Sequence, residues 1–518
     1  MDKTLKSLIV TVAISSIFPL STINAQTEGG RHTGSMPDRF KEYREKILGD
    51  YKNHRNRILE NYDKFLEGVW TELTTFKGEE YNPKPKPATP PHTPVTKPSA
   101  PAQLPQPTAP VSVDPTPSVV DDTDHGKPDV SPTPTTPTPT TKPTPTTVEA
   151  TPFDFYGIEI KLPPLEVQLM HSMRNKNDYA QQWRNLANAG FVDNFTASVR
   201  ELAREYNLND YLSFELLMKY ASSRYPDVDA SSRASLVHFL LNNMGYGVRL
   251  GTTDTGVTLL LLPLKQKIFA RSFMEIDGQR YYIFTDDSHT PAEVGGYVST
   301  CHLPSGTDTG SAIDLLIPNG LNLPYKPYKF EISYGGLTLK GELNANIMPM
   351  LYHYPQMPMG DYASSNLLPE LRESLKRQVR EQLGSMPKLT AVNTLLSFVQ
   401  NGFEYATDEQ QHGFEKPYFL EETLFYPKCD CEDRSIIYGY LLSNALDVEN
   451  HLIFYPGHES VALTIDSELD NPLDGDNYTY KGRRFLISDP TFLGATTGMC
   501  MPQFKTTTPK IDYEYQVK

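Results

Sequence analysis

An α+β protein is predicted. Two stretches of helical periodicity each lead into short alternating strands, and a Pro/Thr-rich tract with few apolar side chains separates them from the N-terminus. With 518 residues the chain has room for more than one domain.

Lys3 and Lys6 precede an apolar stretch over 8–20, and a short polar segment ends at Ala25. That is the make-up of a cleavable secretory signal over 1–25. No cysteine stands near its end to carry a lipid, and no later run is long and apolar enough to span a bilayer. The mature chain is therefore expected to be secreted or periplasmic, with no transmembrane segment. A net charge of -15 sets nucleic acid and anionic membrane aside as principal partners. Four cysteines are few for an exported chain, so disulfides are not expected to hold it together.

Residues 37–78 read as one amphipathic helix, with Phe40, Tyr43, Ile47, Tyr51, Ile58, Tyr62, Phe65, Val69 and Trp70 making the apolar face. That face needs a partner: its own protein, a short coiled coil, or another cell-envelope component. Residues 82–150 are a Pro/Thr-rich linker, expected to be disordered and extended, reaching on the order of 200 Å and tethering the helix to the later domains. An α/β domain is expected over 151–330, helical through Trp183, Phe195, Val199 and Leu202, with a further helix at 233–244 and strands at 258–262, 273–276 and 280–285. A β connector over 331–365 joins it to a last domain, 366–518, which opens with helices at 368–384 and 389–403.

Within that last domain three segments carry chemistry. Cys431 precedes apolar residues at Ile436, Ile437, Tyr440, Leu441 and Ala445, which places the thiol in the first turn of a helix, where the dipole favours a thiolate. Gly457-His458 enters a strand whose apolar members are Val461, Leu463 and Ile465. Arg484-Phe485-Leu486-Ile487-Ser488 is the next strand, with Asp489 at its end and Pro490 closing it. Thiol, imidazole and carboxylate are the three groups of nucleophilic acyl transfer: Cys431 attacks, His458 takes and returns the proton, and Asp489 fixes the imidazole tautomer. His451 competes for the role of base but starts the preceding strand. Lone His171, His238 and His289 read as structural or surface residues. A zinc reading of Cys429, Cys431 and His458 is poor, because Cys-x-Cys lacks a matching second pair. With Cys431 free, Cys301, Cys429 and Cys500 leave at most one ordinary disulfide, its pairing open.

Cys429-Asp430-Cys431-Glu432-Asp433, Gly457-His458 and Asp489-Pro490-Thr491, in this order, resemble the transglutaminase-like cysteine-enzyme superfamily, in particular a bacterial exported member. Cys429 stands where that family usually has Gly, and Glu459-Ser460 follow His458 where it often has a small residue and an aromatic. The resemblance implies a papain-like/transglutaminase-like fold for 366–518, a thioester acyl-enzyme, no cofactor or metal, and a peptide or protein substrate that is hydrolysed or passed to an amine. A non-catalytic cell-envelope binding or scaffold protein on the same fold is the alternative.

The earlier domain repeats this pattern. Leu240-Leu241-Asn242-Asn243 lines up with Leu441-Leu442-Ser443-Asn444, and Arg280-Tyr281-Tyr282-Ile283 with Arg484-Phe485-Leu486-Ile487. Ala230 then falls opposite Cys431, and 255–257 opposite His458. Residues 151–330 are thus a candidate degenerate copy of 366–518 that lacks its chemistry.

Overall fold

The computed structural model describes residues 70–79, 152–163, 165, 167–189, 192–285, 294, 296–301, 310–465 and 474–517. The signal expected at 1–25, the helix expected at 37–78 as far as residue 69, the linker at 82–150 and His289 lie outside the described residues.

In the first module Trp70–Thr74 is a strand, β1, so the helix expected over 37–78 does not run to its end. Thr71, Thr74 and Thr75 are β-branched and follow Trp70, a composition that suits a strand once an edge is there to receive it. A small hairpin, β2 (Phe153–Phe155) and β3 (Ile158–Ile160), leads into four helices. These are α1 (Lys176–Ala187), α2 (Val192–Glu205), α3 (Asp210–Arg224) and α4 (Ala230–Asn243). Strands β4 (Arg249–Thr253), β5 (Thr258–Pro263), β6 (Phe273–Ile276), β7 (Gln279–Phe284) and β8 (Tyr297–Cys301) complete the module. The sheet is antiparallel throughout, in the order β1-β8-β4-β5-β7-β6. Beyond β1 the chain goes on to pair Phe76 with Phe273 of β6, so one short segment touches both edges and closes the sheet.

The connector expected over 331–365 is a long hairpin that starts earlier, β9 (Pro327–Tyr334) with β10 (Leu337–Asn344), followed by short helices α5 (Met348–Tyr352) and α6 (Met359–Ser364). Helices α7 (Pro369–Leu383) and α8 (Lys388–Gly402) then precede a parallel pair, β11 (Glu404–Tyr405) and β12 (Lys428–Cys429), between which lie α9 (Asp408–Gln411) and α10 (Leu420–Thr423). Helix α11 (Cys431–Leu446) is followed by β13 (Asn450–Tyr455), β14 (His458–Leu463), β15 (Asn477–Tyr480), β16 (Arg483–Ile487) and β17 (Lys510–Tyr515). Their order is β15-β16-β14-β13-β17, again all antiparallel.

Without β1, the first sheet has the same strand order and pairing sense as the second. Each follows a helix capped by an aspartate, Asp229 before α4 and Asp430 before α11. The registers also match. Asp277-Gly278 and Lys481-Gly482 both take positive φ (52° and 79°, 50° and 76°), which makes two-residue turns that suit the twist of a hairpin. Ile283 N–H donates to the Ser272 carbonyl at 2.9 Å, and Ile487 N–H to that of Asp476 at 3.0 Å. Arg249 lies over Tyr281 as His451 lies over Phe485. Counted from these anchors, Val257 stands opposite His458 and Thr285 opposite Asp489, while α4 begins with Ala230 where α11 begins with Cys431. One apolar core, running from Phe155 through Leu241 and Leu351 to Leu441 and Tyr515, joins the two modules.

Candidate active site

Helix α11 starts at Cys431, and its first turn is fixed by polar contacts made entirely inside the protein. Asp433 accepts from the backbone N–H of Asp430 (3.1 Å), as in a capping box, and from that of Tyr418 (2.8 Å), which ties the segment before α10 to the helix start. Arg434, fully buried, donates to the carbonyls of Gln400 (3.1 Å) and Phe403 (2.9 Å), so α11 is tied to the end of α8. From that same end, Gln400 Nε2 donates to the carbonyls of Asp489 (3.0 Å), Phe492 (2.8 Å) and Ala495 (3.1 Å). Gln400 thereby links the loop that carries Asp489, through its side chain, to the helix that carries Cys431, through its main-chain carbonyl.

Asp489 and His458 meet. Nε2 of His458 lies 2.8 Å from Oδ2 of Asp489, and Oδ1 of Asp489 accepts from the backbone N–H of Thr491 (2.8 Å) and Phe492 (3.2 Å). Both side chains are buried. The ring of Phe504 covers the imidazole in a parallel stack, 5.3 Å between centroids and 2° between planes. With Nε2 engaged, Nδ1 has no hydrogen-bond partner among the described residues. His451 points elsewhere: it stacks on Phe485 at 4.1 Å and Nδ1 lies 2.5 Å from the Tyr478 hydroxyl.

The thiol lies against the strand that carries His458, and its proton goes to a carboxylate. Cys431 Sγ donates to Oε2 of Glu432 at 2.9 Å and receives the backbone N–H of Glu459, the residue after His458. Burial first, then the charges of Glu432 and Asp430, push the Cys431 thiol well above the usual range. The thiolate favoured by a helix start is thus overridden by burial and by the carboxylates gathered there. Cys429 is pushed up to about 12, chiefly by burial, and its thiol faces the Glu404 carbonyl. Cys429, Cys431 and Cys500 are all free.

Around Cys431 the acids are numerous. Ligand atoms of Asp430, Cys431 and Glu432 lie within 4.8 Å of one another, as do those of Asp408, Asp430 and Asp433, and of Asp408, Glu415 and Glu432. Such oxygen-rich sets have the donor chemistry of a hard divalent cation. Protons do the same neutralising work here: burial and mutual repulsion hold Asp408 up to about 10, and raise Asp430 and Asp433 well above the carboxylate range. Cys429, Cys431 and His458 do not form a common ligand set among the described residues.

Several of these groups escape a sequence reading. Glu432 is visible in the motif but looks like an ordinary first-turn acid. Gln400 and Phe504 carry no local signal, because their role depends on which loop packs against them. Tyr405 is half-buried near the thiol, and its burial followed by the charge of Cys431 raises its phenol. No helix among the described residues is long and apolar enough to cross a membrane. No family model, curated protein or solved structure matches the chain.

Proposed function

We propose that this protein is an exported transglutaminase-like cysteine enzyme that cleaves or transfers a peptide-type amide. The observation that carries the reading is the buried 2.8 Å contact between His458 and Asp489, one residue from the backbone N–H that donates to the Cys431 sulfur at a helix start. In this reading Nδ1 of His458 takes the thiol proton as sulfur attacks the acyl carbon. The imidazolium then protonates the departing amine, and water or a second amine opens the thioester. The Cys431 backbone N–H and the Tyr405 phenol are the two donors assigned to the oxyanion. Proton loss must compete with the hold of Glu432, so the resting site is a thiol and the thiolate forms when substrate displaces that contact.

The same hydrogen bond and the burial of Cys431 favour a second reading, a non-catalytic cell-envelope binding or scaffold protein on this fold. A peptidyl fluoromethyl ketone, followed by mass spectrometry, separates the two. An enzyme is alkylated at Cys431, and labelling is lost in His458→Ala. A scaffold stays unlabelled at Cys431 or labels equally in both proteins, and either result overturns the enzymatic reading.

A further inference from the structure

In the first module a run of the protein's own chain closes the sheet. Along β1, Trp70 to Thr74 pair with Cys301 to Tyr297. Phe76 then exchanges two backbone hydrogen bonds with Phe273 (2.8 and 3.0 Å), and its ring stacks on that of Phe273 at 5.4 Å. Leu73 packs against the inner apolar cluster that contains Leu259, Leu261, Met274 and Ile283. The second module has no such strand among the described residues, and β15 and β17 are its two edges.

Register tells what stands at the open edge. Because Asp476 matches Ser272, Asn477 matches Phe273, and β17 takes the place of β8. Between these edges lies a cavity of about 320 Å³, whose lining includes Asn477, Tyr478, Tyr455, Ile487, Cys500 and Phe504. Asn477 is exposed, at the start of β15. Phe504 is a wall shared with the candidate active site, since it stacks on Tyr455 at 4.7 Å and on His458 at 5.3 Å.

We propose that this cavity is a docking site for an extended peptide, which adds as a strand along β15 at Asn477 and sets an apolar or aromatic side chain against Phe504. An edge strand offers backbone donors and acceptors that another backbone fills in register, and aromatic walls give room for an apolar side chain beside it. In the first module segment 70–76 fills the matching edge at one position, where Phe76 bridges Phe273 of β6, while its strand proper, Trp70–Thr74, pairs with β8, the counterpart of β17. At the rim, Asp476 and Lys505 neutralise one another at 3.0 Å, so the site selects shape and backbone rather than charge. The proposal rests on the enzymatic reading in one respect: the docked peptide is the substrate presented to Cys431.

The test uses the full chain and a blocked hexapeptide with the sequence of residues 71–76, followed by hydrogen exchange. Saturating peptide slows amide exchange in 477–480 and 510–515 at least fivefold, and Asn477→Pro, which removes the edge N–H, weakens binding at least tenfold. Thr508→Trp fills the cavity from an exposed lining position and has the same effect should Asn477→Pro not fold. Absence of binding, protection confined to 297–301, or unchanged affinity in a folded variant overturns the docking site. Cys431→Ala keeps the two readings apart. If it still binds peptide while wild-type Cys431 resists the fluoromethyl ketone, docking stands and the enzyme falls; if Cys431 is labelled but no peptide binds, the enzyme stands and docking falls.

Discussion

Cys431 gives its thiol hydrogen to Glu432, 2.9 Å away, although His458 stands on the strand directly beside it. A helix start and an imidazole argue for an acidic thiol, while the buried carboxylates argue for a basic one. Removing one carboxylate decides how much of the shift is theirs.

Glu432→Gln is expected to lower the thiol pKa, because it deletes the largest charge acting on Cys431 and leaves a side chain of the same size. The pH dependence of Cys431 alkylation by iodoacetamide measures this, with the rise in rate moving to lower pH in the variant. An unmoved profile means that burial and Asp430, not Glu432, set the thiol.

Asp489 is expected to act by holding His458, not by moving a proton. Asp489→Asn keeps the loop contacts but frees the wrong tautomer, so amide turnover drops about 10⁴-fold, as in the serine triad. Cys431→Ala and His458→Ala each abolish it, and the double variant is no slower than either alone. A double variant much slower than both singles would mean that the two residues do not work as a unit.

Gln400 is a positioning residue with a stability cost of its own. Its amide serves three carbonyls of the Asp489 loop, and Gln400→Leu leaves them without that donor inside the protein. A loss of roughly 1–3 kcal/mol is expected in urea unfolding. Labelling of Cys431 should slow as well, since the loop that orients His458 loses its clamp. A variant as stable as wild type would show that water replaces the amide.

Much of the site was legible because periodicity reports helices and strands directly. Cys431 heads a helix and His458 starts a strand, as the apolar spacing required, while Asp489 lies two residues past the end of β16 and an unexpected strand, β15, comes between. The matching of the two modules was legible from Leu240 and Arg280 onward, since turn residues and apolar positions repeat with the strands. Two things were not. Strand β1 lies far in sequence from β8, and isolated Trp70 to Thr74 fit the tail of a helical pattern equally well until that edge is present. The hold of Glu432 on the thiol depends on side-chain direction within one turn of helix, which spacing does not encode.

Stability should fall as pH rises, because buried acids keep protons that the unfolded chain releases. Asp408 is the clearest case, held up to about 10 from an ordinary 3.8 by burial and then by Asp433 and Glu432. Its stabilising contribution is whole below about pH 4 and is lost as pH climbs toward 10. Each such proton lowers stability by at most ~1.4 kcal/mol per pH unit in between. Asp408→Asn removes that proton while its amide oxygen still accepts from Lys416 N–H, the contact that Asp408 makes at 2.6 Å. Melting curves from pH 5 to 9 should therefore fall less steeply in the variant. An equal or steeper fall would place the titrating acid elsewhere in the cluster.

Cleavage in the Pro/Thr tract should nick the protein without dividing it. A tract of this composition has no core to shield its backbone, so an added protease is expected to cut within 82–150 first. Yet both flanks belong to the same module. On one side β1 pairs with β8, Phe76 pairs with Phe273, the Glu79 carbonyl accepts from Ala270 at 2.7 Å, and the Glu79 carboxylate pairs with Lys267 and Arg280. On the other side Phe153 packs edge-on to Tyr220 in the hairpin that opens the helices. The described residues on both sides of the tract, 70–79 and from 152 onward, are thus held in the same module. Denaturing gels should show two fragments after limited digestion, while size-exclusion chromatography under native conditions keeps them in one peak. Cys431 in that nicked species should label as in the intact chain. Separation of the N-terminal fragment on the native column would mean that strand pairing and the Glu79 contacts are too weak to hold β1 once the tract is cut.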